Sequence, residues 1–364
     1  MRLMTYFIPT EWVKGFYITK FIRISEKRRF MKEALRLEED QLKENIIIIN
    51  KKVSAIFKEI DKVVVGQDKV LRDIFICLLA RGHILLEGAP GLAKTLMIRA
   101  MSAVIGGTFK RIQFTADLLP TDITGFEGYD PQRGFFTFKG PVFAHFVLAD
   151  EINRAPPKVQ SALMEVMQEL QVTIGKTTFP LELPFIVLAT ENPIENKGTY
   201  SLPEAQLDRF LFKSLVDYPN IDEEKIIMEE NISIHNFDEF KLEVVCTRQD
   251  ILKMQQITKM IFLHDKIKNY IAQIIDATRN PDSYGISLGK FIEWGGSPRA
   301  SINLYIASKA RALLEGRSFV VPQDIKDIAL NVLRHRILLT YDAKVMGVTS
   351  ERVIREILSK IRVP

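Results

Sequence analysis

The eight residues Gly88-Ala89-Pro90-Gly91-Leu92-Ala93-Lys94-Thr95 follow the apolar run His83-Ile84-Leu85-Leu86-Glu87 and open the helical pattern Leu96-Met97-Ile98-Arg99-Ala100-Met101. A strand, a tight Gly/Pro turn and a helix start in that order predict a phosphate cradle. Backbone N–H groups of the turn converge on the phosphates of a nucleotide, Lys94 reaches the terminal oxygens and the Thr95 hydroxyl faces Mg²⁺. Position 93 carries Ala where such loops usually carry Gly. The substitution is expected to cost little, because position 93 would already belong to the helix start, while Gly88 and Gly91 keep the freedom that turning requires. An ordinary strand-to-helix turn is the alternative that the flanking sequence has to exclude.

Outward from this loop, 364 residues provide for about two domains, and 47% apolar with 26% charged residues is the composition of a globular protein with a large core. Cys77 and Cys246 lie far apart with no metal-type spacing and His is scarce, which predicts neither a disulfide framework nor a zinc site. The net charge of +5 is not gathered in a tail and gives no ground for nucleic acid as a partner. No run reaches the roughly 18 apolar residues of a membrane helix, so a cytoplasmic location is expected. Residues 1–30 differ from the rest, with Trp12, Phe16, Tyr17 and Phe21 among basic residues and with Glu11, Lys14 and Lys20 interrupting the apolar pattern. A peripheral membrane contact, a partner-binding arm and a true start at Met31 all fit this segment.

From Met31 the pattern turns helical, with Val53, Ile56, Phe57 and Ile60 on one face. A second amphipathic helix runs through Val70, Ile74, Cys77 and Leu78 and ends at Arg81-Gly82. Short apolar runs predict buried parallel strands at 109–114, 146–148, 185–189 and 210–216. A helix over 158–170 alternates with them, so residues 31–219 read as a doubly wound α/β core. Residues 220–364 read as a helical lid, with helices near 223–231, 248–262, 265–278, 299–314 and 322–333. Two inserts disturb the alternation. One, over 118–141, holds Gly125, Gly128, Gly134 and Gly140 with Phe126, Tyr129, Phe135, Phe136 and Phe138, and predicts a hairpin spliced into a helix. The other, Val172 to Phe179, predicts a hairpin turned at Gly175-Lys176. Both read as substrate-facing loops or as extra sheet edge.

The chemistry-bearing residues cluster at strand ends. Phe146-Val147-Leu148-Ala149-Asp150-Glu151 is an apolar strand closing on two carboxylates; Asp150 is placed to hold Mg²⁺ through its water shell and Glu151 to polarise the water that attacks the γ-phosphate. Standing alone, such a pair would be a solvated strand cap. Asn192, after the strand-like run Phe185 to Thr190, is placed to touch that water or the γ-phosphate, or simply to turn the chain with Pro193. Arg209, just before the next strand, is placed to face the nucleotide of a neighbouring subunit. Gly295-Gly296-Ser297-Pro298-Arg299 reads as a turn, a Ser cap and a Pro at the first helical position, with Arg299 in the first turn of a lid helix. A cation there is unfavourable against the helix dipole unless it meets an anion, a phosphate or a surface carboxylate.

The ordered set GAPGLAKT, FTADLLPTDITG, FVLADEINRAPPKVQSALMEVMQE, ATENP, LPEAQLDRF, GGSPRA and GRSFVVPQDI resembles the MoxR family of AAA+ ATPases, in the helix-2-insert group that also holds magnesium chelatase ATPase subunits. The likeness covers about Ile56 to Leu338, and Ala93 is itself usual in that family. It implies an AAA+ core of parallel sheet with helices on both faces, followed by an all-helical lid. It also implies Lys94 and Thr95 as Walker A within a nucleotide-binding loop from Gly88 to Leu96, and Asp150 and Glu151 as Walker B. Asn192 would be sensor 1, Arg209 the arginine finger, Arg299 sensor 2, and Val64-Val65-Gly66-Gln67 the adenine-side contact. ATP with Mg²⁺, a ring that is commonly hexameric, a chaperone-like action on client proteins and a partner carrying a von Willebrand factor A domain are further implications. The rival classes are a nucleic-acid motor, which would want several basic residues around Lys176, and a non-hydrolysing scaffold, which would be expected to lack Glu151 or Arg209.

Overall fold

The computed structural model of the chain describes residues 40–132, 134–193, 199–230 and 237–364. The chain divides into two compact units, Met1–Ile48 and Ile49–Pro364, and the second holds the sheet and both clefts described below. The N-terminal arm expected over residues 1–30 lies outside the described residues. Residues 40–60 form helix α1, which buries Val53, Ile56 and Ile60 as their spacing predicts. Helix α2 (Asp68–Leu79) buries Val70, Ile74, Cys77 and Leu78.

Next come β1 (Ile84–Glu87), α3 (Lys94–Val104), β2 (Phe109–Gln113), the short α4 (Pro120–Thr124), and the hairpin β3 (Gly125–Asp130) and β4 (Gly134–Lys139). Then follow β5 (Phe146–Asp150), α5 (Pro157–Glu169), the hairpin β6 (Gln171–Ile174) and β7 (Thr177–Pro180), β8 (Ile186–Glu191), α6 (Glu204–Leu207) and β9 (Phe212–Leu215). Five strands form one parallel sheet in the order β2-β5-β8-β1-β9. β5 and β8 are buried along their length up to the last residue, as a sheet covered on both faces requires. Alternation then sends Leu85, Val147, Ala149, Val187 and Ala189 to one face, where they share a core with Val159, Leu163, Val166 and Met167 of α5. Since every strand runs the same way, the last residues of β1, β5 and β8 share one edge of the sheet and the residues preceding β1 and β9 share the other.

The first insert is a six-residue-per-strand hairpin between α4 and a 3₁₀ turn at Pro141–Phe143, so its flanking helix is shorter than the sequence suggested. Its neck is a crossing of two glycines: a Cβ on Gly140 would lie 2.7 Å from the Gly125 nitrogen and 2.2 Å from the Ile123 carbonyl. Beyond the neck, Phe126 stacks on Phe138 at 5.4 Å and Tyr129 meets Phe135 edge-on at 5.1 Å, yet Phe135 remains 74% and Tyr129 65% exposed. The second insert turns at Gly175-Lys176 as predicted, and its tip meets the first, with Gly175 directly against the Glu127 carboxylate.

The lid consists of α7 (Ile221–Glu230), α8 (Arg248–Met260), α9 (Asp265–Arg279), β10 (Ile292–Trp294), α10 (Pro298–Leu314), α11 (Pro322–Leu333), β11 (Leu338–Leu339), α12 (Tyr341–Val345) and α13 (Ser350–Lys360). It is helical apart from the β10–β11 pair, two segments too short to carry a strand period in the sequence.

Candidate functional site

The edge formed by the carboxyl ends of the strands opens into a cleft of about 380 Å³. Pro90 to Leu96, Asp150, Glu151 and Asn192 all line it, so most of the loop, both carboxylates and Asn192 come together in one place, while Gly88 and Ala89 do not line it. Lys94 and Thr95 are the first two residues of α3, which places the Thr95 hydroxyl and the free N–H groups of the helix start at the floor of the cleft. The Lys94 ammonium folds back onto the Gly88 carbonyl at 2.5 Å. Burial holds it below the usual lysine range, against the pull of Asp150, Glu151 and Glu87.

Ala93 departs from the expectation. It precedes the helix in the left-handed region, at φ 54°, rather than inside the first turn. A Cβ there costs about 1 kcal/mol, which is why Gly is the commoner choice, and the tight turn holds Ala93 in this conformation regardless.

Asp150 and Glu151 are fixed by groups to which the sequence motifs assign no role, although Thr190 and Arg154 lie inside two of those motifs. Thr190 Oγ1 donates to Asp150 Oδ1 at 2.6 Å and accepts from the Glu151 N–H at 2.8 Å. Arg111 holds Asp150 Oδ2 at 2.6 and 3.0 Å, while Gln113 and Arg154 donate to Glu151 Oε2 at 2.9 and 2.8 Å. Register brings them there: Gln113 sits opposite Asp150 in the parallel pair β2–β5, and no signal in the sequence gives that pairing. Beside them, Lys213 Nζ bridges Glu87 at 2.6 Å and Glu191 at 3.8 Å, and burial raises the Glu191 carboxyl above its usual range.

An oxygen-only donor pair of hydroxyl and carboxylate fits Mg²⁺, which takes few protein ligands and keeps its remaining positions for water and phosphate. No group of three or more His, Cys, Asp or Glu among the described residues forms an all-protein metal cage.

Arg209 and Arg299 are not in this cleft. They line a second one of about 290 Å³ at the opposite edge of the sheet, together with Arg81, and no carboxylate lines it. Arg209 donates to the Met164 carbonyl at 3.1 Å. Arg299 stands in the first turn of α10, where Ser297 caps its N–H as the sequence predicted. Its guanidinium reaches Asp208 at 3.5 Å, the surface-carboxylate alternative. Neither arginine approaches the phosphate loop of its own chain. The Val65-Gly66-Gln67 segment also stays out of the first cleft: the Gln67 amide is held by the Asp217 carbonyl at 3.2 Å, and Gly66 packs against the Glu223 carboxylate.

Family models match in two places. The ATPase family associated with various cellular activities (AAA) matches residues 83–212, and the AAA lid domain matches residues 289–357. The chain is 46% identical to the chaperone MoxR1 of Mycobacterium tuberculosis, over 85% of this chain and 81% of that one. It is 44% identical to the uncharacterised protein YeaC of Bacillus subtilis, over 84% and 93%. A crystal structure from Cytophaga hutchinsonii, described as an ATPase candidate, superposes with a TM-score of 0.84 at 42% identity, covering 90% of this chain and 99% of that one. By these relatives and family models, the chain belongs to the MoxR family of AAA+ ATPases.

Proposed function

We propose that the chain hydrolyses ATP with Mg²⁺ as one subunit of a ring and spends the hydrolysis on remodelling a protein client. The observation that carries this reading is the separation of the two clefts. One is lined by Lys94, Thr95 and Glu151, the residues this reading needs to hold phosphate and polarise water, while the other is lined by guanidiniums and no carboxylate. A second copy that presents Arg209 and Arg299 to the first copy's cleft completes the set.

In this reading the turn N–H groups and Lys94 hold the phosphates, and Thr95 and Asp150 would hold the metal. A metal held there would neutralise phosphate charge. Glu151 Oε1, the oxygen that Gln113 and Arg154 leave free of their bonds to Oε2, is the one disposed to accept from the attacking water, and Asn192 orients that water or the γ-phosphate. Arg209, from the neighbour, meets the charge that develops on the transferring phosphoryl group. The exposed Phe135, Tyr129 and Phe138 of the first hairpin supply an apolar contact for a client, in keeping with the name chaperone borne by the relative from M. tuberculosis. A hexamer, a cytoplasmic setting and a partner with a von Willebrand factor A domain complete the reading by family likeness.

Mixing tests it. Glu151→Gln chains and Arg209→Ala chains are each expected to be inactive, and their mixture is expected to regain ATPase activity at interfaces that join an intact cleft to an intact arginine. A mixture as inactive as its components would refute the shared site. An ATP-loaded Glu151→Gln pull-down tests the client, and strong stimulation of ATPase by DNA would favour the motor instead.

A further inference from the structure

Besides the bond from its own guanidinium to the Met164 carbonyl, Arg209 is held through its neighbours in the chain. The segment from Asp208 to Lys213 is gripped by three consecutive residues that follow α11: Arg334 donates to the Lys213 carbonyl at 3.1 Å, His335 pairs with the Phe210 carbonyl at 3.3 Å, and Arg336 takes the rest. The Arg336 side chain is 1% exposed. Its Nε donates to Asp208 Oδ1 at 2.7 Å, its Nη2 to the carbonyls of Asp208 at 2.9 Å and Phe210 at 2.5 Å, and its Nη1 to the carbonyls of Leu211 at 3.2 Å and of Val332. A guanidinium that deep in the protein is tolerated only with a carboxylate and a full set of acceptors, and Asp208 is the one carboxylate bonded to it among the described residues.

Asp208 has a second oxygen, and the lid uses that as well. Ser297 Oγ donates to Oδ2 at 3.2 Å while capping α10, and Arg299 Nη1 approaches the same oxygen at 3.5 Å. One carboxylate therefore joins the residue before Arg209, the buried Arg336 and the start of the helix that carries Arg299. The bond to Arg336 is short and buried, whereas the contact with Arg299 is long and at the surface, so the second can exchange and the first cannot.

We propose that Asp208 is the positioning residue of the second cleft: anchored by Arg336, it holds Arg299 beside Arg209 until the phosphates of a neighbouring copy's nucleotide take Arg299 in its place. Two guanidiniums aimed at one small anion repel each other when no anion is present. Asp208, at the margin of the cleft, gives Arg299 a carboxylate partner in that state, while Arg209 donates to the Met164 carbonyl. Phosphate then displaces the carboxylate, because a doubly charged acceptor offers the guanidinium the bidentate geometry that the 3.5 Å contact lacks.

This inference rests on the shared-site reading above, and a double-mutant cycle separates the two. Asp208→Asn keeps the size and one acceptor for Arg336 but removes the charge that holds Arg299. We expect it to lower kcat about tenfold while KM for ATP and the affinity for a fluorescent ADP stay within about twofold. Asp208→Asn combined with Arg299→Ala is expected to be no slower than Arg299→Ala alone. Losses that multiply in the double variant, or an Asp208→Asn kcat equal to that of the unaltered protein, overturn the positioning role while the shared site stands. If Arg299→Ala leaves kcat unchanged, the reading of the second cleft falls and the proposal with it. Folding is controlled by mixing: Asp208→Asn chains keep their own phosphate cleft, so Glu151→Gln chains with intact arginines should restore their turnover. Weakened ADP binding and no restoration on mixing would mean that Asp208 serves the fold alone.

Discussion

At the carboxyl ends of β1, β5 and β8 the chain gathers Glu87, Asp150, Glu151 and Glu191, with Lys94 and Lys213 among them. At the amino ends of β1 and β9 it gathers Arg81, Arg209 and Arg299 in a cleft that no carboxylate lines. The first edge can hold a nucleotide and polarise water but has no mobile cation to spare, because Arg111 is already spent on Asp150. The second edge can meet an anion but has no base beside it. Each lacks what the other offers, and in a parallel sheet the two sets of strand ends cannot meet within one chain. Two copies in head-to-tail contact would satisfy both, and a head-to-tail contact that closes makes a ring.

The largest effect should come from the bare edge. On this reading Arg209→Ala lowers kcat by about 10³ without weakening nucleotide binding to the separated chain, measured by steady-state ATPase and by ADP titration. Equal losses in both would place Arg209 at its own chain's nucleotide and dissolve the contrast. Glu151→Gln at the loaded edge should lower kcat by about 10² and leave ATP bound, which single-turnover assays and filter retention distinguish.

Between the edges lies Asp73 of α2, buried and bonded by Ser214 of β9 at 2.8 Å and Asn331 of α11 at 2.7 Å. Burial raises its pKa to about 6, from 3.8. Folding therefore favours its protonated form: the stability linked to it is complete below about pH 4, is lost as pH rises to 6, and stays lost above that. The whole span is worth about 3 kcal/mol. Thermal unfolding of Asp73→Asn should lack this component, so its Tm should gain on that of the unaltered protein between pH 4 and 6. A difference independent of pH would mean that Asp73 does not titrate there.

The smallest effect concerns the pairing at the loaded edge. Because Arg111 occupies the oxygen of Asp150 that a hydrated metal would use, Arg111→Ala should lower the Mg²⁺ concentration for half-maximal ATPase by about two- to fivefold, the scale of a half-exposed ion pair. A raised requirement would instead make Arg111 part of the metal or phosphate site.

Much of the loaded edge was legible because its chemistry is local in sequence: a phosphate loop occupies eight consecutive residues, and Asp150-Glu151 ends an apolar run. Register and long-range bonds were not legible. Gln113 and Arg111 reach the carboxylates only because β2 pairs with β5, and nothing in Phe109 to Gln113 announces a neighbour. Asp208 stood in plain view beside Arg209, but its role depends on Arg336, 128 residues away. Ala93 misled for a different reason. Helix propensity describes residues inside a helix, and Ala93 sits one step before it, where the sign of φ decides.

The two-glycine crossing at the base of the first hairpin has a consequence for how such proteins diversify. Chain entry and exit pass backbone against backbone at Gly125 and Gly140, so the ends of the hairpin are already together, and beyond the neck it touches the second insert through Glu127 and Lys139. No residue of the hairpin lines either cleft. If the hairpin contacts a client as proposed, natural variation can rewrite that contact at these two positions, and a laboratory can transplant it by cutting at the same two.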